Sequence, residues 1–252
     1  MKMEQNNIVS LSGGKDSTAM LHMMLDRGEN IHSVVFFDTG WEFPEMADHI
    51  SLVKQKTGVE VLTLEPRESF ERWMYHRKIK AMTGEMKGEI HRIGNGWPSP
   101  MRRWCTREKV NAINRCLRGI EQPVSCIGYA ADETHRDKDN NGKIPKRYPL
   151  IEYGITEEEA LKYCRELGYH WGGLYDVFDR VSCWCCPLQG IKGARKLRKH
   201  RPELWEKLIE MDMRQPRHNP GWLETHTAIE LECRFRKEDR QLTLFDDVGR
   251  VG

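Results

Sequence analysis

The sequence predicts an α/β protein, a parallel sheet with helices on both faces. Short apolar runs alternate with segments of helical period through the first half of the chain. The first of those runs passes directly into a glycine turn that opens a helix, and 252 residues suffice to bury a full core.

Taken in order, Ile8-Val9-Ser10-Leu11 reads as the first strand and residues 16–27 as the first helix, joined by Ser12-Gly13-Gly14-Lys15-Asp16-Ser17. Residues 33–37 form a second strand, 44–57 a helix, 59–64 a third strand, 106–118 a helix and 124–128 a fourth strand. Ligands of such sheets sit at the carboxyl ends of the strands, so the glycine turn and the segments after strands two and four should face one crevice. Between residues 70 and 104 the pattern weakens into a long excursion or lid marked by Gly84, Gly88, Gly94, Gly96, Pro98 and Pro100. After Cys186 the chain becomes helical and basic over residues 191–212. The expected organisation is an α/β domain at 1–180, a cysteine-rich start and basic helical region at 181–240, and a tail at 241–252.

Forty Lys and Arg against 38 Asp and Glu give a net charge of +2, which does not by itself mark a nucleic-acid binder. No apolar run approaches the ~20 residues needed to span a bilayer, and the N-terminus has no signal-peptide core, so a soluble cytoplasmic protein is expected. Eight cysteines in that compartment read as metal ligands, reactive thiols or buried small apolar residues, not as a disulfide framework.

The two glycines of the first turn let the backbone approach an oxyanion, and the helix amides and dipole favour negative charge there. Lys15 and the hydroxyls of Ser12 and Ser17 add donors. A nucleotide triphosphate or pyrophosphate fits such a cradle; the plainer reading is a helix-opening turn without a ligand. The spacing is not that of the Walker motif. It resembles the PP-loop of the ATP pyrophosphatase (adenine nucleotide alpha hydrolase) superfamily, whose members cleave ATP between its α and β phosphates and commonly adenylylate a substrate. Further segments are Asp38-Thr39-Gly40, Phe43-Pro44-Glu45, Arg103-Trp104-Cys105-Thr106, residues 128–136 from Gly128 to Arg136, Pro149-Leu150 and Cys183-Trp184-Cys185-Cys186-Pro187. Together with the loop they resemble the phosphoadenylyl-sulfate (PAPS) reductase family of that superfamily over residues 7 to 190.

That resemblance implies a Rossmann-like, HUP-type fold. It implies ATP with Mg²⁺ at Ser12, Gly13, Gly14, Lys15, Asp16 and Ser17, adenosine near Phe36, Phe37 and Asp38, and Gly128 and Arg136 near the far side of the pocket. Asp38 also reads as a simple strand-end cap. Ala130 stands where the family often carries an arginine, which weakens the case for an extra phosphate or sulfate at that spot.

Cys183 and Cys186 have the C-x-x-C spacing that places two thiolates on one metal or cluster, a spacing zinc shares. Family members with a [4Fe-4S] cluster use a cysteine near the Cys105 position together with such a pair. The resemblance therefore makes Cys105, Cys183 and Cys186 the preferred ligands, with Cys185 as the fourth or as a free, catalytic thiol. Adenylyl-sulfate reductases have two adjacent cysteines where this chain has Trp104-Cys105, so three or four thiolates remain open. Cys116, Cys126 and Cys164 read as core residues.

A sulfonucleotide reductase of this family would carry a nucleophilic cysteine in a Glu-Cys-Gly-Leu/Ile-His segment near its C-terminus, and usually a degraded PP-loop. This chain has Glu232-Cys233-Arg234-Phe235 and an intact loop. The resemblance thus implies adenylylation of an oxygen and its replacement by sulfur, as in tRNA thiolation and DNA phosphorothioation enzymes. Lys15 and Asp16 would take part, with Asp38 near the Mg²⁺. The alternatives are a sulfonucleotide reductase, a nucleotide or redox sensor without turnover, and a zinc-containing PP-loop hydrolase or amidating enzyme.

Lys192, Arg195, Lys196, Arg198, Lys199, His200 and Arg201, next to Trp205, read as a surface for nucleic-acid phosphates or as a solvated helix face, since Glu203, Glu206 and Glu210 follow. Gln241-Leu242-Thr243-Leu244-Phe245 resembles the peptide by which bacterial DNA enzymes dock on the replication sliding clamp; docking on the protein's own body is the competing account. A sulfur donor or reductase protein is a further expected partner.

Overall fold

A computed structural model describes residues 5–136, 144–216 and 221–248; the side chains of 134–136 and 242–248 lie outside the description. In chain order the elements begin β1 (Asn6–Leu11), α1 (Lys15–Asp26), β2 (Ile31–Phe37), α2 (Glu45–Thr57), β3 (Val61–Leu64) and α3 (Phe70–Tyr75). They continue with β4 (Lys78–Lys80), β5 (Ile90–Ile93), α4 (Trp104–Cys116), β6 (Pro123–Ile127), β7 (Lys146–Arg147) and α5 (Pro149–Tyr153). The remainder is α6 (Glu157–Glu166), α7 (Leu174–Val177), α8 (Gly190–His200), α9 (Pro202–Met213) and α10 (Ala228–Val248). Two compact units result, Met1–Arg67 with Thr106–Trp184, and Glu68–Cys105 with Cys185–Gly252.

The first unit is the predicted α/β body. Five strands pair in the order β3-β2-β1-β6-β7, every pairing parallel. β1 is central, with Val9 opposite Val34 on one side and Cys126 on the other. Ile8 and Val9 are wholly buried, as a strand covered on both faces requires. Ile8 and Val35 pack with Ile113 of α4 and with Leu117 just after it. The chain leaves β1 toward β2 on one side and meets β6 on the other, so the carboxyl end of β1 is the topological switch point where open α/β sheets bind ligands. β7 escaped the sequence reading because two residues carry no periodicity.

In the second unit, residues 70–104 are ordered elements. Helix α3 is followed by the antiparallel β4–β5 hairpin, and the return chain packs indoles against α3. Trp73 and Trp104 lie parallel with ring centroids 6.0 Å apart, and Trp97 Nε1 donates to Asp212 at 2.7 Å. Tyr75 Oη donates to the Met211 carbonyl at 2.8 Å, tying α3 to α9. Gly94 is required here: its φ is +75°, and a Cβ would sit 2.5 Å from the Met74 carbonyl oxygen. Strands of three and four residues are too short to show alternation in the sequence.

Helices α8, α9 and α10 meet at Glu232, which accepts from Trp205 Nε1 at 2.7 Å, Arg198 Nε at 2.8 Å and Arg236 Nε at 2.6 Å. Burial pushes the Glu232 carboxyl up, but these three donors outweigh it and hold its pKa at about 2. Helix α10 runs to Val248, so residues 241–245 continue a helix; the side chains of 242–245 are outside the described part. Among the described residues no helix is long and apolar enough to cross a membrane.

Candidate functional site

β1 ends at Leu11 and α1 begins at Lys15, leaving Ser12-Gly13-Gly14 as the turn. Gly13 has φ +78°, and a Cβ there would fall 2.2 Å from Met46 Sδ. Ser17 Oγ knits the loop, accepting from Ser12 N–H at 3.0 Å and donating to the Gly14 carbonyl at 3.0 Å. The first backbone amides of α1 open at this turn, where a helix N-terminus favours an anion, and that of Lys15 is already taken by Tyr175.

Lys15 reaches from this cradle into a carboxylate pair. Its Nζ lies 2.5 Å from Glu157 Oε2 and 3.1 Å from Asp16 Oδ1. Burial alone would lower the ammonium pKa, but Asp16 and Glu157 outweigh it and the pKa is raised; burial raises that of Asp16 even against Lys15. Two carboxylates beside a phosphate seat suit Mg²⁺, which binds through one or two carboxylates and substrate phosphates. Glu157 was not identified from the sequence. Its one local signal is the capping box of Thr156 and Glu159, which marks a helix start beside it.

An aromatic brace holds the loop from behind. Trp171 Nε1 donates to the Gly13 carbonyl at 2.7 Å while its ring stacks on His49 at 4.6 Å. Trp171 has φ +47°, a strained conformation for an indole residue. His49 is paired with Thr18 Oγ1 at 3.0 Å, and burial lowers its pKa to about 4, so it is neutral. Tyr175 Oη accepts the Lys15 backbone N–H at 2.8 Å.

Gly128, just after β6, contributes through close packing. A Cβ at this position would lie 2.9 Å from Ser17 N and 3.0 Å from the Asp16 carbonyl carbon, so glycine lets the end of β6 rest on the first turn of α1. Phe37 is buried at the end of β2. Asp38 Oδ1 accepts Gly40 N–H at 2.7 Å, the strand-end cap, and the side chain stays half-exposed. Arg136 ends a 3-10 turn over Ala131–Arg136; its side chain lies outside the described residues.

The loop after β2 also receives a cysteine. Cys183 pairs with Glu42 in an isolated antiparallel bridge, and Trp184 N–H donates to the Trp41 carbonyl at 3.0 Å. This sets Cys183 Sγ 3.5 Å from Thr39 Oγ1, which donates to Glu42 Oε1 at 2.7 Å. Burial raises the Glu42 pKa. Lys109 of α4 stands within electrostatic reach of Cys183 and Glu42; burial lowers its pKa and those two groups oppose the shift. Lys109 and Thr39 were not singled out as partners of a cysteine, although Lys109 falls one helical turn after Cys105.

The remaining cysteines divide by burial. Cys126 and Cys164 are wholly buried, and burial pushes both thiols up to about 12, consistent with core residues. Cys185 is also wholly buried in the second unit, where its carbonyl accepts Trp222 Nε1 at 2.7 Å; a nucleophilic thiol needs access that this position lacks. Cys105 and Cys186 of that unit, and Cys183 of the first, are half-exposed. Among the described residues no three Cys, His, Asp or Glu side chains stand together as a metal site. The thiols are soft donors suited to iron or zinc, but as arranged they do not form a cage for either.

Comparison with known proteins establishes the family and the fold. The pattern of the phosphoadenosine phosphosulfate reductase domain family matches residues 6–189. An uncharacterized protein of Methanocaldococcus jannaschii is 26% identical over 248 aligned residues, covering 88% of this chain and 45% of the relative. The chain thus spans less than half the length of that relative. An adenosine 5'-phosphosulfate reductase of Geobacillus kaustophilus is 27% identical over 160 residues, 61% of each protein. Among solved structures, a phosphoadenylyl-sulfate reductase from Candida auris in a phosphate complex superposes with a TM-score of 0.52 at 17% identity, covering 72% of this chain and 83% of that one, and so shares the fold. With the match extending over most of its length, the chain belongs to the phosphoadenosine phosphosulfate reductase domain family.

Proposed function

We propose that this protein is a PP-loop ATP pyrophosphatase-type enzyme that adenylylates an oxygen of a nucleic-acid acceptor and directs its replacement by sulfur. The observation that carries the reading is the half-exposed Cys183 thiol, 3.5 Å from Thr39 Oγ1 in the same unit as an intact, lysine-bearing phosphate loop. The acceptor oxygen attacks the α phosphorus, the bond from that phosphorus to the bridging oxygen breaks, and pyrophosphate leaves. Lys15 and the first amides of α1 stabilise the charge gathering on the departing phosphates. Mg²⁺, when bound, neutralises phosphate charge. Sulfur at the sulfide level then forms the carbon–sulfur bond as AMP departs with the carbon–oxygen pair. That exchange needs no external reductant.

A sulfonucleotide reductase is the second reading. Cys233, its only counterpart to a C-terminal nucleophile, is exposed in the second turn of α10 and is followed by Arg234 instead of glycine, which speaks against it. The two separate in one assay. Protein given ATP, Mg²⁺, sulfide and nucleic acid should yield AMP, pyrophosphate and nucleosides in which one oxygen is replaced by sulfur. Release of sulfite from an adenylyl sulfate and a thiol, with no pyrophosphate from ATP, would overturn the proposal.

A further inference from the structure

Residues 77–103 hold seven Lys and Arg against two Glu, a formal +5 where the whole chain is +2, so the other 225 residues are net negative. The β4–β5 hairpin displays much of this charge. Lys78 lies opposite Ile93, Lys80 opposite Ile90 and Ile79 opposite Arg92. Strand alternation therefore puts Ile79 and Arg92, both half-buried, on one face and Lys78, Lys80, Ile90 and Ile93, all exposed, on the other. Lys87 is exposed in the connecting turn.

This charge is not neutralised internally. Arg77 stacks on Trp73 at 3.4 Å and reaches Glu68 at 3.9 Å, whereas Lys78, Lys80, Lys87, Arg92 and Arg102 form no ion pair among the described residues. Arg92 Nε is buried without a hydrogen-bond partner, and the neighbouring charge of Arg102 adds to burial in disfavouring the Arg92 cation. The basic helix α8 differs, since Arg195 pairs with Glu238, and Arg198 with Glu232 at 2.8 Å and Asp239 at 2.7 Å.

We infer that the exposed face of the β4–β5 hairpin docks the phosphate backbone of a nucleic acid. A two-stranded ribbon fits the major groove of a duplex, and the lysines flanking Ile90 and Ile93 can reach phosphates while the isoleucines lie against sugar and base edges. This rests on the proposed nucleic-acid acceptor and names where it is held.

The test is fluorescence anisotropy of the full chain with labelled duplex DNA, single-stranded DNA and an RNA hairpin across a salt series. The triple variant Lys78→Gln, Lys80→Gln, Lys87→Gln should bind the preferred form on the order of tenfold or more weaker, and its plot of log affinity against log salt should flatten by about 2 to 3. Arginine at the same three positions should restore both, which separates charge from folding. Lys192→Gln, Lys196→Gln, Lys199→Gln should bind within about twofold of the unaltered protein. A hairpin triple that binds with unaltered affinity and slope overturns the inference, as does an acidic polypeptide bound more tightly than any of the three nucleic acids. Pyrophosphate release from ATP in the presence of nucleic acid, followed in parallel, separates the two ideas: its persistence with a hairpin triple that binds as tightly as the unaltered protein removes the hairpin inference alone, whereas its absence from the unaltered protein removes the proposed function.

Discussion

The phenol oxygen of Tyr175 accepts the backbone N–H of Lys15 at 2.8 Å, at the opening of α1 where a phosphate oxygen would meet that amide. The tyrosine would thus compete with a nucleotide at this loop for that donor. Tyr175→Phe keeps the ring against Trp171, whose centroid is 4.8 Å away, and removes only the competitor. One net hydrogen bond of about 1 kcal/mol corresponds to roughly fivefold, so ATP should bind the variant about fivefold more tightly in calorimetric titration. Weaker binding would mean that the hydroxyl helps to hold ATP.

Gly128 should tolerate no side chain. The Cβ of Gly128→Ala would meet the Asp16 and Ser17 backbone at 2.9 to 3.0 Å, and backbone cannot rotate aside. Overpacking of this kind costs about 1 to 3 kcal/mol. Thermal unfolding and ATP titration should show a lower Tm together with weaker ATP binding; an unchanged ATP affinity would separate β6 from the loop.

His49 makes stability depend on pH. Its folded pKa is lowered to about 4 by burial, against 6.5 for the free side chain. The unfolded chain therefore binds the extra proton first, and stability is complete above pH 6.5 and falls as pH drops toward 4. The loss amounts to about 3 kcal/mol over that window. Denaturant titrations at several pH values should show this slope, and His49→Gln should flatten it. An unaltered slope in the variant would assign the dependence to other groups.

Much of the α/β unit was legible in the sequence because a strand buried on both faces is written as a continuous apolar run, and Ile8 to Leu11 is followed at once by the glycine turn that opens α1. Lys15, Gly13 and Ser17 could be named from their spacing for the same reason. Glu157, Trp171 and Tyr175 could not, because they come more than 140 positions later and meet the loop only through the packing of α6, of the 3-10 turn at Trp171–Gly173 and of α7. The second unit was obscured differently. Its indole packing joins residues 73, 97 and 104 to Asp212, and no local period records a contact of that range.

The central claim is cleavage of ATP between its α and β phosphates, and the most direct measurement follows ATP labelled at the α phosphorus. With Mg²⁺, acceptor and sulfide, the label should appear in AMP with an equal amount of pyrophosphate, and Lys15→Met should abolish both. Label recovered as ADP, or ATP left intact while adenylyl sulfate is reduced, would contradict the account.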